Sequence, residues 1–110
     1  MALCWECRLI RFEWDPVKAR TNQRKHGITF VEAVNVFVDP YALFAQDRTD
    51  DETGELRWQA IGLVEGMVLL LVAHTVREEG QDEVIRLISA RRATRKERNR
   101  YEQTREQNVG

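Results

Sequence analysis

The twenty residues RWQAIGLVEGMVLLLVAHTV, Arg57 to Val76, decide the fold class. Their first half alternates, with Trp58, Ala60, Gly62 and Val64 on one side and Gln59, Ile61 and Leu63 on the other. That is the period-two pattern of a strand. Glu65-Gly66 is a two-residue turn signal. From Met67 to Val76 the chain is apolar on both faces, as a strand inside a sheet must be. A hairpin closed by two residues sets Val64 against Met67 and therefore Arg57 against His74.

Downstream, Arg77–Glu83 reads as a charged loop and Val84–Ala90 as another strand. Arg86 falls on the face of Val84, Ile88 and Ala90, and Ile85, Leu87, Ser89 and Arg91 take the other face. Arg91 and Arg92 end the strand, so one guanidinium leaves each side of the sheet. Thr94 with Glu97 forms a capping box that opens a helix from Arg95 to about Gln107. After Ala93 its only large apolar residue is Tyr101. Such a helix docks by one side and serves a partner or substrate with the rest.

Upstream, Leu9–Trp14 alternates as a short strand. Asp15-Pro16 starts a helix that stops at Gly27, its last turn Arg24-Lys25-His26 complementing the helix dipole. Thr29 and Glu32 cap a second helix, in which Phe30, Val34 and Phe37 share a face until Asp39-Pro40 ends it. Tyr41–Ala45 reads as a strand and Gln46–Glu55 as an acidic loop. The order is β-α-α-β-β-β-β-α. The class is α+β: an antiparallel β-sheet with two N-terminal helices and one C-terminal helix. Residues 1–9 are expected to be a disordered tail, and 10–107 a single domain.

One hundred and ten residues leave room for one core, and 43% hydrophobic with 32% charged residues suits a globular chain. The longest apolar run, Met67 to Ala73, is too short to cross a bilayer. Glu6 and Arg8 interrupt what a secretion signal needs to be apolar, so a cytoplasmic protein with no membrane partner is expected. Cys4 and Cys7 form a lone C-x-x-C. Zinc needs two more ligands, and His26 and His74 are far apart in sequence, so the thiols read as incidental and no metal or cofactor is expected. Charge is segregated. Residues 1–83 hold nine Lys/Arg against fifteen Asp/Glu, and residues 84–110 hold eight against three. One region can therefore attract phosphate although the whole is slightly acidic.

No phosphate-cradling glycine loop or nucleophile elbow occurs, so the candidates are basic side chains on the sheet. Arg57, His74, Arg86, Arg91 and Arg92 suit RNA cleavage without metal: a 2′-hydroxyl attacks phosphorus, an acid and a base move protons, and cations stabilise the charge. DNA lacks that hydroxyl. Structural readings stand beside these. His74 alone is more often a core or edge histidine satisfied by hydrogen bonds, Arg57 reads equally as a strand-end partner of Glu55, and a buried structural arginine paired with an acid from the first half is open to Arg86. His26 reads as a helix-terminus residue. Trp14 and Trp58 read as core, with base stacking open to Trp58 beside Arg57.

An ordered series of short motifs adds to this. Phe12-Glu13-Trp14-Asp15-Pro16, Asn22, Lys25-His26-Gly27-Ile28-Thr29-Phe30 and Glu32-Ala33 resemble the opening of the BrnT family of toxins. Arg57-Trp58-Gln59-Ala60-Ile61-Gly62, His74-Thr75 and the run Ile88 to Arg98 continue the likeness in order, over roughly residues 10–105. The resemblance implies a RelE-like ribonuclease that inhibits translation, the toxin of a type II toxin–antitoxin system. It implies a BrnA-like ribbon-helix-helix antitoxin, operator DNA bound only through that antitoxin, and two toxins in the complex. By matching position it places Arg57, Arg91, Arg95 and Lys96 in the active region, with His74 where many members carry histidine. With the residue chemistry, this makes Arg57, His74, Arg91 and Arg92 the catalytic candidates and Lys25, Trp58, Arg86, Arg95 and Lys96 the RNA-binding ones. Arg98, Tyr101 and Arg105 are assigned to antitoxin or substrate docking. The alternative is a non-catalytic co-repressor that binds a DNA-binding antitoxin. The acid-rich Asp47–Glu55 segment departs from the usual basic character of RNA-cutting toxins.

Overall fold

The computed structural model describes residues 2–5 and 8–109, with side chains described for 9–107. Six strands form one sheet: β1 Ala2–Trp5, β2 Arg8–Glu13, β3 Leu43–Thr49, β4 Leu56–Val64, β5 Val68–Glu79 and β6 Asp82–Arg92. Helix α1 spans Pro16–His26, α2 Phe30–Ala33 and α3 Arg95–Val109, and a 3₁₀ segment Val34–Val38 follows α2. The strand order is β1-β2-β6-β5-β4-β3. The α+β class stands, with one change: β2 runs parallel to β6, so the sheet is mixed rather than wholly antiparallel. Ala2–Trp5 is a strand paired to β2, where a disordered tail was expected. The thiols of Cys4 and Cys7 lie outside the described residues.

The first helix follows its local signals. Asp15 accepts from the Val17 N–H at 2.8 Å, Pro16 opens the helix, and Gly27 closes it at φ 70°. The Thr29–Glu32 capping box is present, but the helix it opens lasts one turn before tightening into the 3₁₀ segment. The run Val34-Asn35-Val36-Phe37-Val38 is mostly β-branched, which weakens a regular helix. The segment is held instead by packing: Val34 and Val36 are buried, and Phe37 meets the Phe12 ring at 5.4 Å. Its approach to β4 depends on Gly62. A Cβ there would lie 2.8 Å from Val36 Cγ1 and 2.9 Å from the Val36 carbonyl oxygen. The obstacle includes backbone, so Gly62→Ala is expected to cost about 2–3 kcal/mol in denaturant unfolding. A change below about 0.5 kcal/mol would show that the segment can lift away.

The helices and the 3₁₀ segment cover one face of the sheet, where Phe12, Phe30, Val64, Leu70, Val72, Ile85 and Leu87 form the main core. Helix α3 crosses the opposite face. There Tyr101, 2% exposed, packs with Ile61, Leu69 and Leu71. On that face Leu69, Leu71, Ala73 and Thr75 of β5 are all buried, none more than 9% exposed. The expected charged loop at Arg77–Glu83 is mostly strand: β5 runs to Glu79, Gly80 turns at φ 62°, and β6 starts at Asp82.

Two single-residue displacements decide what each face carries. At the β4–β5 turn, Glu65 and Gly66 are both left-handed and the Met67 N–H closes on the Val64 carbonyl at 3.1 Å. Met67 is then passed over, 82% exposed, and Val64 pairs with Val68. The whole hairpin is offset by one residue from the two-residue closure. Arg57 therefore pairs with Thr75, and His74 with Trp58. The second displacement is a bulge in β6: His74 pairs with Leu87 but Ala73 with Ser89, so Ile88 is extra. Without it Arg86 and Arg91, five positions apart, would point to opposite faces. With it they share one.

Candidate functional site

Residues paired across a sheet share a face, about 5 Å apart at Cα. The second face therefore carries one row reading Arg57, Thr75, Arg86, Glu13 across β4, β5, β6 and β2. The next rows toward α3 hold Gln59, Ala73 and Ser89, then Ile61, Leu71 and Arg91. Three of the expected site arginines are thus brought together.

Their pairing states differ, and this decides which can take a ligand. Beyond the row, Arg77 is committed: it bridges Glu13 and Glu79, bonding Glu79 at 2.6 Å, and its pKa is raised by those bonds. Glu13 is in turn held below its usual range by the Arg77 bond, which outweighs burial. Arg11 pairs with Glu79 at 3.2 Å. Arg91 is committed too, its two terminal nitrogens reaching Glu97 at 2.9 and 3.0 Å. By contrast Arg57 has only Asp50, at 3.9 Å, and its Nε is buried without a partner among the described residues. Arg86 makes no hydrogen bond or ion pair among the described residues; Glu13 feels its charge at longer range. Between these two, Thr75 is 1% exposed and its hydroxyl also has no partner among the described residues. Two cations with unused donors flank a buried, unpaired hydroxyl. Such a group costs on the order of 1–3 kcal/mol unless something bonds it. The arrangement suits a tetrahedral oxyanion.

Glu97 ties this face to α3. Besides holding Arg91, its carboxylate accepts the Thr94 N–H at 2.8 Å, completing the capping box. The Arg91 bond is the largest of the causes that lower its pKa, to about 2 from 4.5. A carboxylate lowered on folding adds stability above its unfolded pKa and loses it as pH falls toward the folded one. Glu97→Gln is therefore expected to cost about 1–2 kcal/mol at pH 7, a discounted figure because Arg91 is partly exposed. The gap between parent and variant should close between about pH 4.5 and 2. A gap independent of pH would mean that the carboxylate charge is not what counts.

The other expected residues are elsewhere. His74, 2% exposed, lies on the helix-covered face, edge-on to Phe37 at 4.8 Å and Phe44 at 6.3 Å. Burial outweighs its Val72 carbonyl bond and lowers its pKa to about 4, so it is neutral at pH 7. The expected Arg57–His74 pair does not exist, because the one-residue offset sends the two to opposite faces. Trp58 shares the His74 face, lining an apolar groove of about 300 Å³ with Phe44 and Val76, away from the arginines. Arg92, paired with Leu70, also leaves on that side. Tyr101 is an anchor for α3 rather than a docking surface. Its hydroxyl donates to Asp39 at 2.6 Å, and burial with that bond raises its pKa to about 12. Arg105 lies over the Tyr41 ring at 5.4 Å. Arg95, Lys96 and Arg98 are exposed at the start of α3, and Lys25 at the end of α1. Sequence reasoning missed Thr75 and Asp50 and saw Glu97 only as a cap. His74-Thr75 stood in the motif series, yet nothing local marks a threonine that a register brings between arginines.

A family profile described as the ribonuclease toxin BrnT of type II toxin–antitoxin systems matches residues 14–97. The chain belongs to the BrnT family. The matched stretch runs from Trp14 to Glu97 and so contains Arg57, Thr75, Arg86 and the Arg91–Glu97 pair. Among solved structures, the chain is similar to the Brucella abortus ribonuclease toxin BrnT, with a TM-score of 0.55 and 25% identity over 78% of this chain and 99% of that one. No curated protein matches it. Membership of a type II toxin–antitoxin family brings an antitoxin as partner. Among the described residues, no group of three or more His, Cys, Asp or Glu could hold a metal ion, and no helix is long and apolar enough to cross a membrane.

Proposed function

We propose that this BrnT-family chain is a metal-independent endoribonuclease acting on the Arg57–Thr75–Arg86 row. The single observation that carries the reading is two incompletely paired arginines flanking a buried hydroxyl without a partner among the described residues, under a turn whose Asp50 sits only loosely on Arg57. The scissile phosphate sits across the row. Arg57 and Arg86 neutralise its non-bridging oxygens as charge grows on phosphorus, and the buried Thr75 hydroxyl donates to one of them after the β3–β4 turn, whose Asp50 lies against Arg57, has moved aside. The neighbouring 2′-oxygen attacks phosphorus as its proton passes to water, and the bond to the 5′-oxygen breaks as that oxygen takes a proton from water. The products are a 2′,3′-cyclic phosphate end and a 5′-hydroxyl end. Arg91, fixed by Glu97, bounds the site toward α3, where Arg95 and Lys96 meet flanking phosphates. His74 and Arg92 have no part, since they face the other way.

The antitoxin is proposed to be a BrnA-like ribbon-helix-helix protein that holds two toxins and alone contacts operator DNA, with Arg98 and the Arg105 side of α3 as its seat. The test incubates purified protein with RNA and with DNA of the same sequence. RNA is expected to be cut equally with and without EDTA, and DNA left intact. Loss of cutting in EDTA would overturn metal independence. Intact RNA at high protein concentration, with antitoxin-dependent promoter binding retained, would favour the co-repressor.

A further inference from the structure

A cleft between α1 and β6 adjoins the arginine face, and no step above uses it. Its volume is about 280 Å³, and its lining includes Lys18, Thr21, Lys25, His26 and Ser89 with the apolar Val17 and Ile88. The Asn22 amide, also in the lining, is spent on backbone groups. Lys18 and Lys25 are two helical turns apart on one side of α1, about 10 Å along its axis. Lys25 has no ion-pair partner among the described residues. Val17, 58% exposed, offers an apolar ledge beside these charges.

Two observations join the cleft to the arginine row. Ser89 pairs with Ala73, which puts it on the arginine face, and it also lines the cleft. The turn between β3 and β4 reaches both places: Asp50 lies 3.9 Å from Arg57, and Glu52 lies 3.3 Å from Lys18. Asp50 is held below its usual range, burial being outweighed by Thr53 bonds and by the charges of Arg57 and Lys18 together. The two cations are near enough to act on one carboxylate.

We propose that the α1–β6 cleft is a second subsite for the same single-stranded RNA, taking the nucleotides beside the scissile phosphate. Lys18 and Lys25 bind their backbone phosphates, and Val17 and Ile88 meet the sugar and base. Glu52 occupies Lys18 until phosphate displaces it. The inference rests on the ribonuclease reading and extends it. RNA is favoured over an acidic protein segment because a polyanion with evenly spaced charges spans cleft and face through Ser89.

The test measures binding of fluorescent 2′-O-methylated RNA, which cannot undergo the cleavage and so reports binding alone. A short oligonucleotide covers the arginine row, and a longer one also reaches the cleft. In Lys18→Ala/Lys25→Ala, affinity for the longer one is expected to fall about tenfold, and the slope of log Kd against log salt to shrink by about 1.4, two phosphates' worth for single strands. The short one should bind as before. Glu52→Gln should tighten the longer one. Unchanged binding of the longer oligonucleotide, equal loss for both lengths, or a loss confined to the antitoxin complex would each overturn the subsite. A parent protein that binds with the lysine-dependent slope but cuts no unmethylated RNA would sink the ribonuclease reading and leave the subsite standing.

Discussion

With Arg57 replaced by alanine, RNA cleavage is expected to fall on the order of 10²–10³-fold, the usual cost of removing one donor aimed at a developing oxyanion. The size follows from what Arg57 lacks. Its one ion-pair partner among the described residues, Asp50, is 3.9 Å away, beyond hydrogen-bond reach, so most of its donors are unbonded there. Folding is expected to lose about 1–3 kcal/mol as well, because the Arg57 and Asp50 side chains are only 16% and 12% exposed. Asp50 keeps its bonds from the Thr53 N–H and hydroxyl at 3.1 and 3.0 Å, which limits the loss. Arg57→Lys separates charge from shape: it keeps the cation but cannot span two phosphate oxygens, and should fall between parent and alanine variant. The measurement is single-turnover cleavage beside denaturant unfolding. Cleavage within threefold of the parent in Arg57→Ala, with folding intact, would remove Arg57 from the mechanism and the row with it.

The elements were far easier to read from the sequence than the site was, and the reason is geometric. Asp15-Pro16, Gly27 and the two capping boxes act through neighbours in sequence, and each does what local chemistry dictates. Hydrophobic alternation likewise marks β4 and β6. What alternation cannot supply is register. Glu65-Gly66 does turn the chain, but whether Met67 is paired or passed over depends on backbone angles that no side chain announces. That single residue moves Arg57 from His74 to Thr75. The bulge at Ile88 is equally silent, since an isoleucine fits a bulge or a regular strand. It nevertheless places Arg86 and Arg91 on one face. His74 drew notice because histidine at ordinary pKa suits acid–base work, yet its neighbours Phe37 and Phe44 come from distant segments and keep it neutral. Ligand-ready residues were recognisable by type, but which of them meet was decided by two slips of one residue.

The largest loss of stability is expected from Asn22→Leu, about 3–4 kcal/mol, although the substitution makes the core more apolar. Strand β2 pairs with β6 only as far as Glu13 and Arg86, so beyond that point the edge of β6 has no strand beside it among the described residues. The Asn22 amide takes that place. Its Oδ1 accepts the Ala90 N–H at 2.9 Å, and its Nδ2 donates to the Ala90 carbonyl at 2.9 Å and the Ile28 carbonyl at 3.0 Å. Leucine fills a similar volume but leaves three backbone groups in a dry site, each worth about 1–3 kcal/mol unpaired, with relaxation recovering part. Against the 5–15 kcal/mol typical of a domain this is severe, and the midpoint of thermal unfolding should drop by roughly 12–20 °C. Asn22→Asp tests the donors separately: it retains the acceptor for Ala90, loses both donations and buries a charge, so it should be no better than leucine. Function should follow, because Ala90 stands between Ser89 and Arg91. Loosening it frees the strand end that Glu97 holds, and the Ala90 amide should lose most of its protection from hydrogen exchange. If Asn22→Leu unfolds within about 1 kcal/mol of the parent, the three bonds contribute no more than ordinary exposed ones, and the β6 edge is held by packing alone.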